Sequence, residues 1–394
     1  MRLPSSRTML RVLALAAEVG LLTLVGYNLL IALAGWPNRL PAPPGAGRRR
    51  MRVVIPAHNE GHILGNLLDD LAVQDYPADL ITVWVIADRC TDRTVGIAAV
   101  RARVDVRTEG PEGKGEAIAW HLGRHPLEPE EALVVLDADN RVPDVLLTRF
   151  AAELEAGGRV LQAYLDVANP DSSMLATAGA LSYWASNRMV QLARCNLGWT
   201  ADLGGTGMCL TGAALQEAGG FQGSITEDQD LTARLLLAGI RVVWLHDVHI
   251  RDEKPDSLGV ALHQRARWAG GKQRVGRRWA PALLRTALST RSMAPADLAL
   301  RLVQPSRSFV ALLTAVLAVV AATYPSRYLL AWWVWAAAAA WQLLVPVPFL
   351  VRDRVPGRYL WRYPLMTVFG ILWLPARILG RFSKRWYHTP HAGE

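Results

Sequence analysis

The chain has 394 residues, of which 51% are hydrophobic, and a formal net charge of +9. The basic excess is mostly arginine, clustered beside apolar runs, which is typical of membrane-flanking loops and not of a nucleic-acid-binding groove. The sequence has no homeodomain, zinc-finger or RNA-binding motif, so it predicts no nucleic-acid partner. The three cysteines have neither the spacing of a metal site nor that of a disulfide framework.

An apolar run near the amino terminus, residues 12–36, is long enough to cross a membrane and predicts a transmembrane helix. The alternatives are a cleaved signal peptide and a buried soluble helix. Glu18 is costly in lipid, so we expect its side chain to face another helix or to reach the interface. Residues 37–47 are rich in proline and glycine and are predicted to form a linker.

The middle of the chain alternates short apolar strands with amphipathic helices. The predicted strands are residues 51–56, 81–87, 132–136 and 160–165, and the predicted helices are residues 63–73, 95–101 and 145–155. This alternation favours an α/β domain with a parallel sheet and helices on both faces. Ligands of such sheets bind beyond the carboxyl ends of the strands.

The carboxyl-terminal part is apolar again. Residues 280–300 predict a helix on the membrane surface, and the runs 309–324 and 328–351 predict a transmembrane hairpin. A buried hairpin of a soluble protein is the alternative. The run 364–380 either spans or lies in the interface, so we expect three spanning helices plus an interfacial one, with four spans as the rival.

These segments divide the chain into four predicted parts. They are an amino-terminal transmembrane helix and linker (1–47), a cytoplasmic domain (48–279), an interfacial helix with a transmembrane hairpin and a short apolar helix (280–380), and a cytoplasmic tail (381–394).

Two aspartates follow an apolar strand in Val134-Val-Leu-Asp137-Ala-Asp139. Two carboxylates separated by one residue can reach one hard cation that completes its shell with substrate oxygens, as Mg²⁺ or Mn²⁺ does with a diphosphate. A turn without a metal is the alternative.

Two weaker motifs precede this pair. Asp88 follows a predicted strand, where its carboxylate can accept hydrogen bonds from a base or ribose, although it could also be an acid at a helix start. The segment Gly113-Lys114-Gly115 opens a helix and places an ammonium group beside free backbone N–H groups, which suits a phosphate.

Acidic residues also begin a later apolar helix, in Thr226-Glu227-Asp228-Gln-Asp230. Favourable interaction with the helix dipole explains one or two of them. A general base for a sugar hydroxyl must lie within hydrogen-bond reach of it, and Asp228 is the candidate.

A further motif, Gln264-Arg-Ala-Arg267-Trp268, places Gln264, Arg267 and Trp268 on one helix face. The forked donors of arginine match a diphosphate, and tryptophan offers a flat apolar face to a sugar ring. The alternative is a helix at the membrane interface with ordinary arginine and tryptophan anchors.

In this order and spacing the motifs resemble the family 2 inverting glycosyltransferases, and within them the processive, cellulose-synthase-like branch, which includes synthases of cellulose, hyaluronan and poly-N-acetylglucosamine. The segments Ile55-Pro-Ala-His-Asn-Glu60 and Gln74-Asp-Tyr-Pro77 are also typical, and the match covers roughly residues 53–273. The resemblance implies a GT-A fold, which is a Rossmann-like α/β domain, and a UDP-sugar donor.

The resemblance also implies a role for each matching residue. Donor binding falls to Asp88, Lys114, Asp137, Gln264 and Arg267, metal binding to Asp139 and Asp137, acceptor binding to Glu227 and Trp268, and general-base catalysis to Asp228.

The sequence departs from the family pattern at two places. Ala87 stands where many members have a second aspartate. The tail Lys384-Arg-Trp386-Tyr-His-Thr389-Pro-His391 is similar to an element that closes over bound nucleotide, but His391 replaces its final arginine. A histidine there would make such closing sensitive to pH near neutrality.

The expected function is therefore transfer of a sugar, glucose or N-acetylglucosamine, from a UDP-sugar to a growing polysaccharide with inversion and with Mg²⁺ or Mn²⁺. The alternative within the enzyme class is transfer of one sugar to a lipid acceptor. From another class, the alternative is a non-catalytic nucleotide-binding membrane partner. The arginine clusters predict a multi-pass protein of the cell (inner) membrane, in contact with membrane lipids, with a cytoplasmic catalytic domain.

Overall fold

A computed structural model describes residues 6–43, 48–364 and 370 of the chain. Its centre is a seven-stranded sheet with the strand order β3-β2-β1-β4-β6-β5-β7. The strands are β1 Met51–Ala57, β2 Ile81–Asp88, β3 Arg103–Arg107, β4 Ala132–Val135, β5 Val160–Val167, β6 Met208–Thr211 and β7 Val242–Asp252.

Helices cover both faces of this sheet and continue beyond it. In chain order they are α1 Ser6–Leu33, α2 Leu64–Ala72, α3 Thr94–Ala98, α4 Lys114–Arg124, α5 Leu146–Glu155, α6 Met174–Ser186, α7 Ala193–Asn196, α8 Gly212–Glu217, α9 Glu227–Leu237, α10 Leu258–Thr290, α11 Met293–Val303, α12 Arg307–Thr323, α13 Trp332–Leu344, α14 Pro346–Arg352 and α15 Gly357–Leu360, with a 3-10 turn at Ala78–Leu80 and a π-helical segment at Asn187–Leu192.

The sheet is mixed, which corrects the expectation of a parallel one. The strand β6 is antiparallel to both of its neighbours, β4 and β5, whereas the other neighbouring strands are parallel. The reason lies in the loop at residues 204–207, which reaches the carboxyl end of β4, where the Gly207 N–H donates to the Val135 carbonyl at 2.9 Å. The chain therefore enters the sheet from that edge and runs back along β4.

The strands β3, β6 and β7 were not among the predicted ones. In β3 charged residues alternate with valines, a pattern of a half-exposed edge strand, and β6 has only four residues. The core itself follows the predicted pattern, since apolar side chains of the sheet pack into one cluster on each face. Val54 and Val135 belong to one of these clusters, and Val53 and Val134 to the other.

Residues 280–300 do not form the single helix that the sequence predicted. Helix α10 runs through them to Thr290, and Arg291, with a φ of 53°, ends it before α11 begins. Helix α11 buries one face that includes Asp297, whose carboxylate receives hydrogen bonds from Arg194 at 2.8 and 3.0 Å. The break therefore lets a separate helix dock on the body of the domain.

Within the described part of the chain, two helical stretches are long and apolar enough to cross a membrane, Thr8–Leu33 and Trp332–Arg352. A third crossing is possible if the pair Met293–Val303 and Arg307–Thr323, bent by 69°, is one span. Glu18 faces a neighbouring segment, as expected, since its Oε1 accepts a hydrogen bond from the Leu330 N–H at 3.1 Å.

Candidate active site

A cavity of about 510 Å³ lies at the carboxyl edge of the sheet. The strands β1, β2 and β4 end at this edge, and α4, α9 and α10 close its sides. All nine residues for which a role was predicted line this cavity. They are Asp88, Lys114, Asp137, Asp139, Glu227, Asp228, Gln264, Arg267 and Trp268.

The two aspartates after β4 lie on a loop that is held in place by its neighbours. The Asp137 N–H donates to Asn140 Oδ1 and to Thr206 Oγ1, both at 3.0 Å. The Asn140 amide in turn donates to Asp139 Oδ1 at 3.2 Å. The loop therefore presents both carboxylates on a fixed backbone, and Thr206 ties it to the glycine-rich loop before β6.

Lys114, in the first turn of α4, forms an ion pair with Asp137. Burial alone would lower the pKa of this ammonium group, but the carboxylates of Asp137, Glu227 and Asp228 outweigh burial and raise it. Lys114 therefore stays charged, and its N–H groups can be shared with an anionic ligand at the start of the helix.

Gly205 shows how closely these charges converge. Its φ is +84°, and a Cβ added there would lie 3.7 Å from Asp228 Oδ2, 3.9 Å from Glu227 Oε1 and 4.0 Å from Lys114 Nζ. A side chain would thus be strained by the backbone and would fill the space between three charged groups. Glycine keeps that space open.

Asp228, at the start of α9, has the perturbed carboxyl group expected of a base. Burial, followed by repulsion from Glu227, raises its pKa to about 7, although the Gln229 N–H, Lys114 and Arg267 oppose the shift. The Gln229 N–H donates to Asp228 Oδ1 at 2.7 Å and fixes the carboxylate. Burial also raises the pKa of Glu227. A carboxylate with a pKa near neutrality can take up a proton during turnover.

Helix α10 brings the Gln264, Arg267 and Trp268 motif to these acids. A Cβ added to Gly271 would lie 2.3 Å from Thr226 Cγ2, so the helix approaches the start of α9 as closely as its backbone allows. One turn earlier, the charge of Arg267 opposes the rise in pKa that burial causes in both Glu227 and Asp228.

Asp88 lines the cavity, but its carboxylate is already engaged by two arginines. Arg107 Nη1 lies 2.9 Å from Oδ2, and Arg89 Nη1 lies 3.0 Å from Oδ1. Arg89 has a positive φ of 53°. Since each carboxylate oxygen has two lone pairs, Asp88 can still accept a further hydrogen bond from a ligand.

Three residues of this cavity were not predicted from the sequence to belong to the site. They are Tyr183, Asp252 and Lys254. Asp252 ends β7, Lys254 Nζ donates to Asp252 Oδ2 at 2.6 Å, and Nζ also lies 3.8 Å from the ring centroid of Tyr183. Burial raises the pKa of Asp252, and Lys254 opposes this. The signal for Asp252 was weak, since β7, which it ends, carries His246, Asp247, His249 and Arg251 among its apolar residues. Tyr183 gave no such signal because it lies within an apolar helix.

The donor set of the cavity fits a divalent cation. Asp137, Asp139 and Asp252 offer carboxylate oxygens, the ligand type that Mg²⁺ and Mn²⁺ prefer. Asp252 Oδ1 is buried, and among the described residues it has no hydrogen-bond partner. A cation here would share Asp137 with Lys114.

A tight group of three potential ligands lies elsewhere, at Asp105, His121 and His125. His121 Nδ1 is 2.6 Å from Asp105 Oδ2, and its ring packs against Trp84 with centroids 5.0 Å apart. Burial lowers the pKa of His121, so the imidazole is neutral and donates to the aspartate. Binding a metal through Nδ1 would instead leave a buried Nε2–H without an acceptor in the described part of the chain. The group is therefore structural. The tail residues 384–391, with His391, lie outside the described residues.

Comparison with known proteins places this site in a family. Residues 49–271 match the model described as glycosyltransferase like family 2. The chain is 28% identical over 284 residues to a beta-monoglucosyldiacylglycerol synthase of Nostoc sp., covering 69% of this chain and 59% of that one. It is 31% identical over 260 residues to the enzyme of that name from Synechocystis sp., covering 63% and 52%. The chain thus spans little more than half the length of these relatives.

Among solved structures, a mannosyltransferase from Pyrobaculum calidifontis in complex with GDP-Man and Mn²⁺ is similar over 94% of this chain and 98% of that one, with a TM-score of 0.59 and 20% identity. This likeness confirms the expected GT-A fold. Because the family model covers more than half of its residues, the chain belongs to glycosyltransferase like family 2.

Proposed function

We propose that this chain transfers a single sugar, with inversion, from a nucleoside diphosphate sugar to a hydroxyl group of a membrane lipid. The observation that carries the proposal is the position of Asp228. Its carboxylate, with a pKa of about 7, shares one cavity with Lys114, Arg267 and the Asp137/Asp139 pair. A base, cations and metal-ligating acids in one cavity are what direct displacement at an anomeric carbon requires.

In the proposed step, Asp228 accepts the proton of the acceptor hydroxyl while its oxygen forms a bond to the anomeric carbon. The bond from that carbon to the diphosphate breaks, and the nucleoside diphosphate leaves. Lys114 and Arg267 neutralise the charge that grows on the leaving group. A divalent cation bound by Asp139, Asp137 and Asp252 would supply further charge neutralisation at the diphosphate.

The remaining roles follow from the same cavity. Asp88, oriented by its two arginines, would bind the ribose or base of the donor. Gln264 would bind the diphosphate beside Arg267. Glu227 and Trp268 would face the acceptor. Since the displacement is direct, an α-linked donor would give a β-linked product.

A lipid acceptor is favoured by the named relatives, which are beta-monoglucosyldiacylglycerol synthases. Glucose is for the same reason the first sugar to test, with UDP as the expected carrier and N-acetylglucosamine as the second choice. Polysaccharide synthesis, the first expectation from the motifs, is the second candidate, because the motifs in their order and spacing resemble the processive branch, although the Gln264–Trp268 motif alone occurs in both kinds of enzyme.

We also propose that the chain is a multi-pass membrane protein with the catalytic domain in the cytoplasm. Arginines at positions 48–52 follow the first apolar helix, and arginines at positions 352–362 follow α13 and α14. Such clusters lie on the cytoplasmic side of membrane helices. Protease digestion of inverted membrane vesicles should therefore remove the domain, and digestion of sealed cells should not.

The function is tested by incubating the purified chain with lipid vesicles, Mg²⁺ or Mn²⁺ and a series of UDP- and GDP-sugars. Release of nucleoside diphosphate identifies the donor, and chromatography of the lipid extract identifies the product. A single glycolipid would support the proposal, and a ladder of polymers would replace it with polysaccharide synthesis. If no donor is consumed, the chain is not this enzyme, and the non-catalytic nucleotide-binding partner becomes the better hypothesis.

A further inference from the structure

A second cavity, of about 770 Å³, lies next to the proposed active site. Trp268 lines both cavities. In the first turn of α9, Asp228 lines the first cavity, and the next residue, Gln229, lines the second one. The boundary between the two cavities therefore runs past Trp268 and the proposed base, and a chemical group at this boundary would lie beside Asp228.

Gln229 gives the second cavity a hydrogen-bond acceptor close to the base. Its Oε1 atom is buried, and within the described part of the chain it has no hydrogen-bond partner. A buried acceptor without a partner favours a ligand that brings a donor. The Gln229 N–H donates to Asp228 Oδ1 at 2.7 Å, so the backbone of one residue connects this acceptor to the base. A hydroxyl group that donates to Gln229 would therefore dock beside Asp228.

The basic residues that line the second cavity do not require an anionic ligand. Arg265 and Lys272 already take part in other interactions of the protein. Arg277 and Arg307 are exposed at the surface. Because the first two charges are engaged and the other two reach the surface, the neutral side chain of Gln229 decides the polar character of the ligand. A neutral alcohol satisfies it.

The outer walls of the second cavity belong to the apolar helices of the chain. Ala311 of α12, Leu343 of α13 and Pro346 of α14 line it. Gln304 and Ser306 line it at the break between α11 and α12, where a candidate membrane span bends by 69°. The cavity therefore lies where the catalytic domain meets the helices that have the composition of membrane spans.

A smaller cavity, of about 30 Å³, adjoins the second one on this side. Arg307 and Gln342 line both. The apolar walls of the smaller cavity are Val25 and Leu29 of α1, Val310 of α12, and Trp341 and Val345 at the end of α13. Trp341 is also exposed on the outer surface of α13. This gap in the packing marks a path by which a hydrocarbon chain can pass between the helices to surrounding lipid.

We propose that the second cavity binds the polar end of a neutral lipid alcohol, and that Gln229 docks its hydroxyl group beside Asp228. The hydrocarbon part leaves between α12 and α13 towards the membrane. This inference rests on the proposed function and specifies where its acceptor binds. In the reaction, the hydroxyl turns from Gln229 to Asp228 and gives up its proton. Its oxygen bonds to the anomeric carbon, and the electron pair of the broken bond leaves with the nucleoside diphosphate.

The single proton of the hydroxyl group limits what Gln229 can do. This proton cannot be donated to Gln229 and to Asp228 at the same time, so the contact with Gln229 exists before the reaction and is lost in the transition state. A contact of this kind lowers KM but does not raise kcat. Gln229 is therefore an acceptor-binding residue, and its role differs from the catalytic role of Asp228.

The test uses the full chain in phosphatidylcholine vesicles that contain diacylglycerol, with a radiolabelled donor sugar. Gln229→Met keeps the length of the side chain and removes its acceptor oxygen. The KM for diacylglycerol should rise about tenfold, which corresponds to one hydrogen bond, while kcat should not fall. Gln222→Met is the matched control, because Gln222 precedes the same helix and lines neither cavity. Its KM should equal that of the wild type.

A second variant, Ala311→Phe, tests the path from the membrane. Ala311 is a buried residue in the wall of the cavity, and a phenyl ring there would occupy the space of the hydrocarbon chains. The KM for diacylglycerol should therefore rise at least about tenfold. Ala322→Phe makes the same change at an exposed site near the end of α12, outside the cavity, and should leave KM unchanged. Binding of nucleoside diphosphate, measured in parallel, shows that each variant is folded.

The outcomes separate this inference from the proposed function. If the wild type labels diacylglycerol and both variants keep its KM, the acceptor binds elsewhere, so the inference is overturned and lipid glycosylation stands. A Gln229→Met variant with a lower kcat and an unchanged KM would also overturn the inference, because Gln229 would then act through Asp228. If the wild type labels no lipid, the proposed function fails and the inference fails with it.

Discussion

Replacing Glu227 by glutamine should move the pH dependence of transfer to lower pH. Burial comes first among the causes that raise the pKa of Asp228 to about 7, and repulsion by the Glu227 carboxylate comes second. Glutamine keeps the size of this side chain but removes its charge, so Asp228 should ionise at lower pH. The pH at which kcat/KM begins to fall reports the ionisation of Asp228. A loss of acceptor binding would lower kcat/KM at every pH, so the two effects can be separated.

The size of the effect follows from the fraction of Asp228 that is ionised. With a pKa of about 7, about half of the groups are ionised at pH 7 and about one tenth at pH 6. The kcat/KM of the wild type should therefore fall about tenfold for each pH unit below neutrality, because only the carboxylate can accept the proton. The Glu227→Gln profile should begin its fall at a lower pH.

The assay is release of nucleoside diphosphate at low donor concentration between about pH 5 and about pH 9, which reports the ionisations of the free enzyme. Asp228→Asn supplies the reference without a base and should lose at least about 10²-fold in rate while binding nucleotide normally. A wild-type rate that does not change across this pH range would refute the assignment of Asp228 as the general base. So would an Asp228→Asn variant that keeps its rate within about tenfold of the wild type.

Three further predictions concern the framework and the metal. Gly271→Ala should lower activity, because the added methyl group meets Thr226 and moves α10 away from the acids, as a drop in kcat will show. Removal of metal by a chelator should abolish turnover, Mg²⁺ or Mn²⁺ should restore it, and Asp139→Asn should raise the metal concentration needed for half-maximal rate. Asp297→Ala should destabilise the protein by about 3 kcal/mol or more, measured by thermal unfolding in detergent, because it leaves the Arg194 guanidinium buried without its partner.

Each of these predictions has a control in the same chain. Gly259→Ala should be harmless, since a Cβ there would meet only Ser257 Oγ at an ordinary 3.8 Å. Asp79→Asn, in the turn before β2 and outside the active-site cavity, should leave the metal dependence and the stability unchanged. Wild-type activity in Gly271→Ala would contradict the first of these predictions, and turnover without metal would contradict the second. An Asp297→Ala variant as stable as the wild type would contradict the third.

The sequence was most informative where chemistry follows directly from local structure. An apolar strand that ends in Asp137 and Asp139 predicts acids at the carboxyl edge of a sheet, and this is where β4 delivers them. Asp228 follows from the same reasoning at a helix start. Because such edges and helix starts converge in α/β domains, the predicted residues lie around one cavity. Their roles in binding and transfer stay predictions.

What the sequence could not supply depends on contacts between segments far apart in the chain. The close approach of Gly271 to Thr226, the ion pair of Asp252 with Lys254 near Tyr183, and the reversed direction of β6 each arise from packing that no local pattern encodes. A cavity of about 770 Å³ that Trp268 also lines is the clearest case, since α6, α10, α12 and α13 meet there only after the whole chain has folded. The sequence by itself therefore determined the family and the chemical groups at the sheet edge, because periodicity and strand ends are local properties. The tertiary structure alone decided how the helices beyond the sheet enclose a cavity beside Trp268, because that enclosure depends on contacts between distant segments.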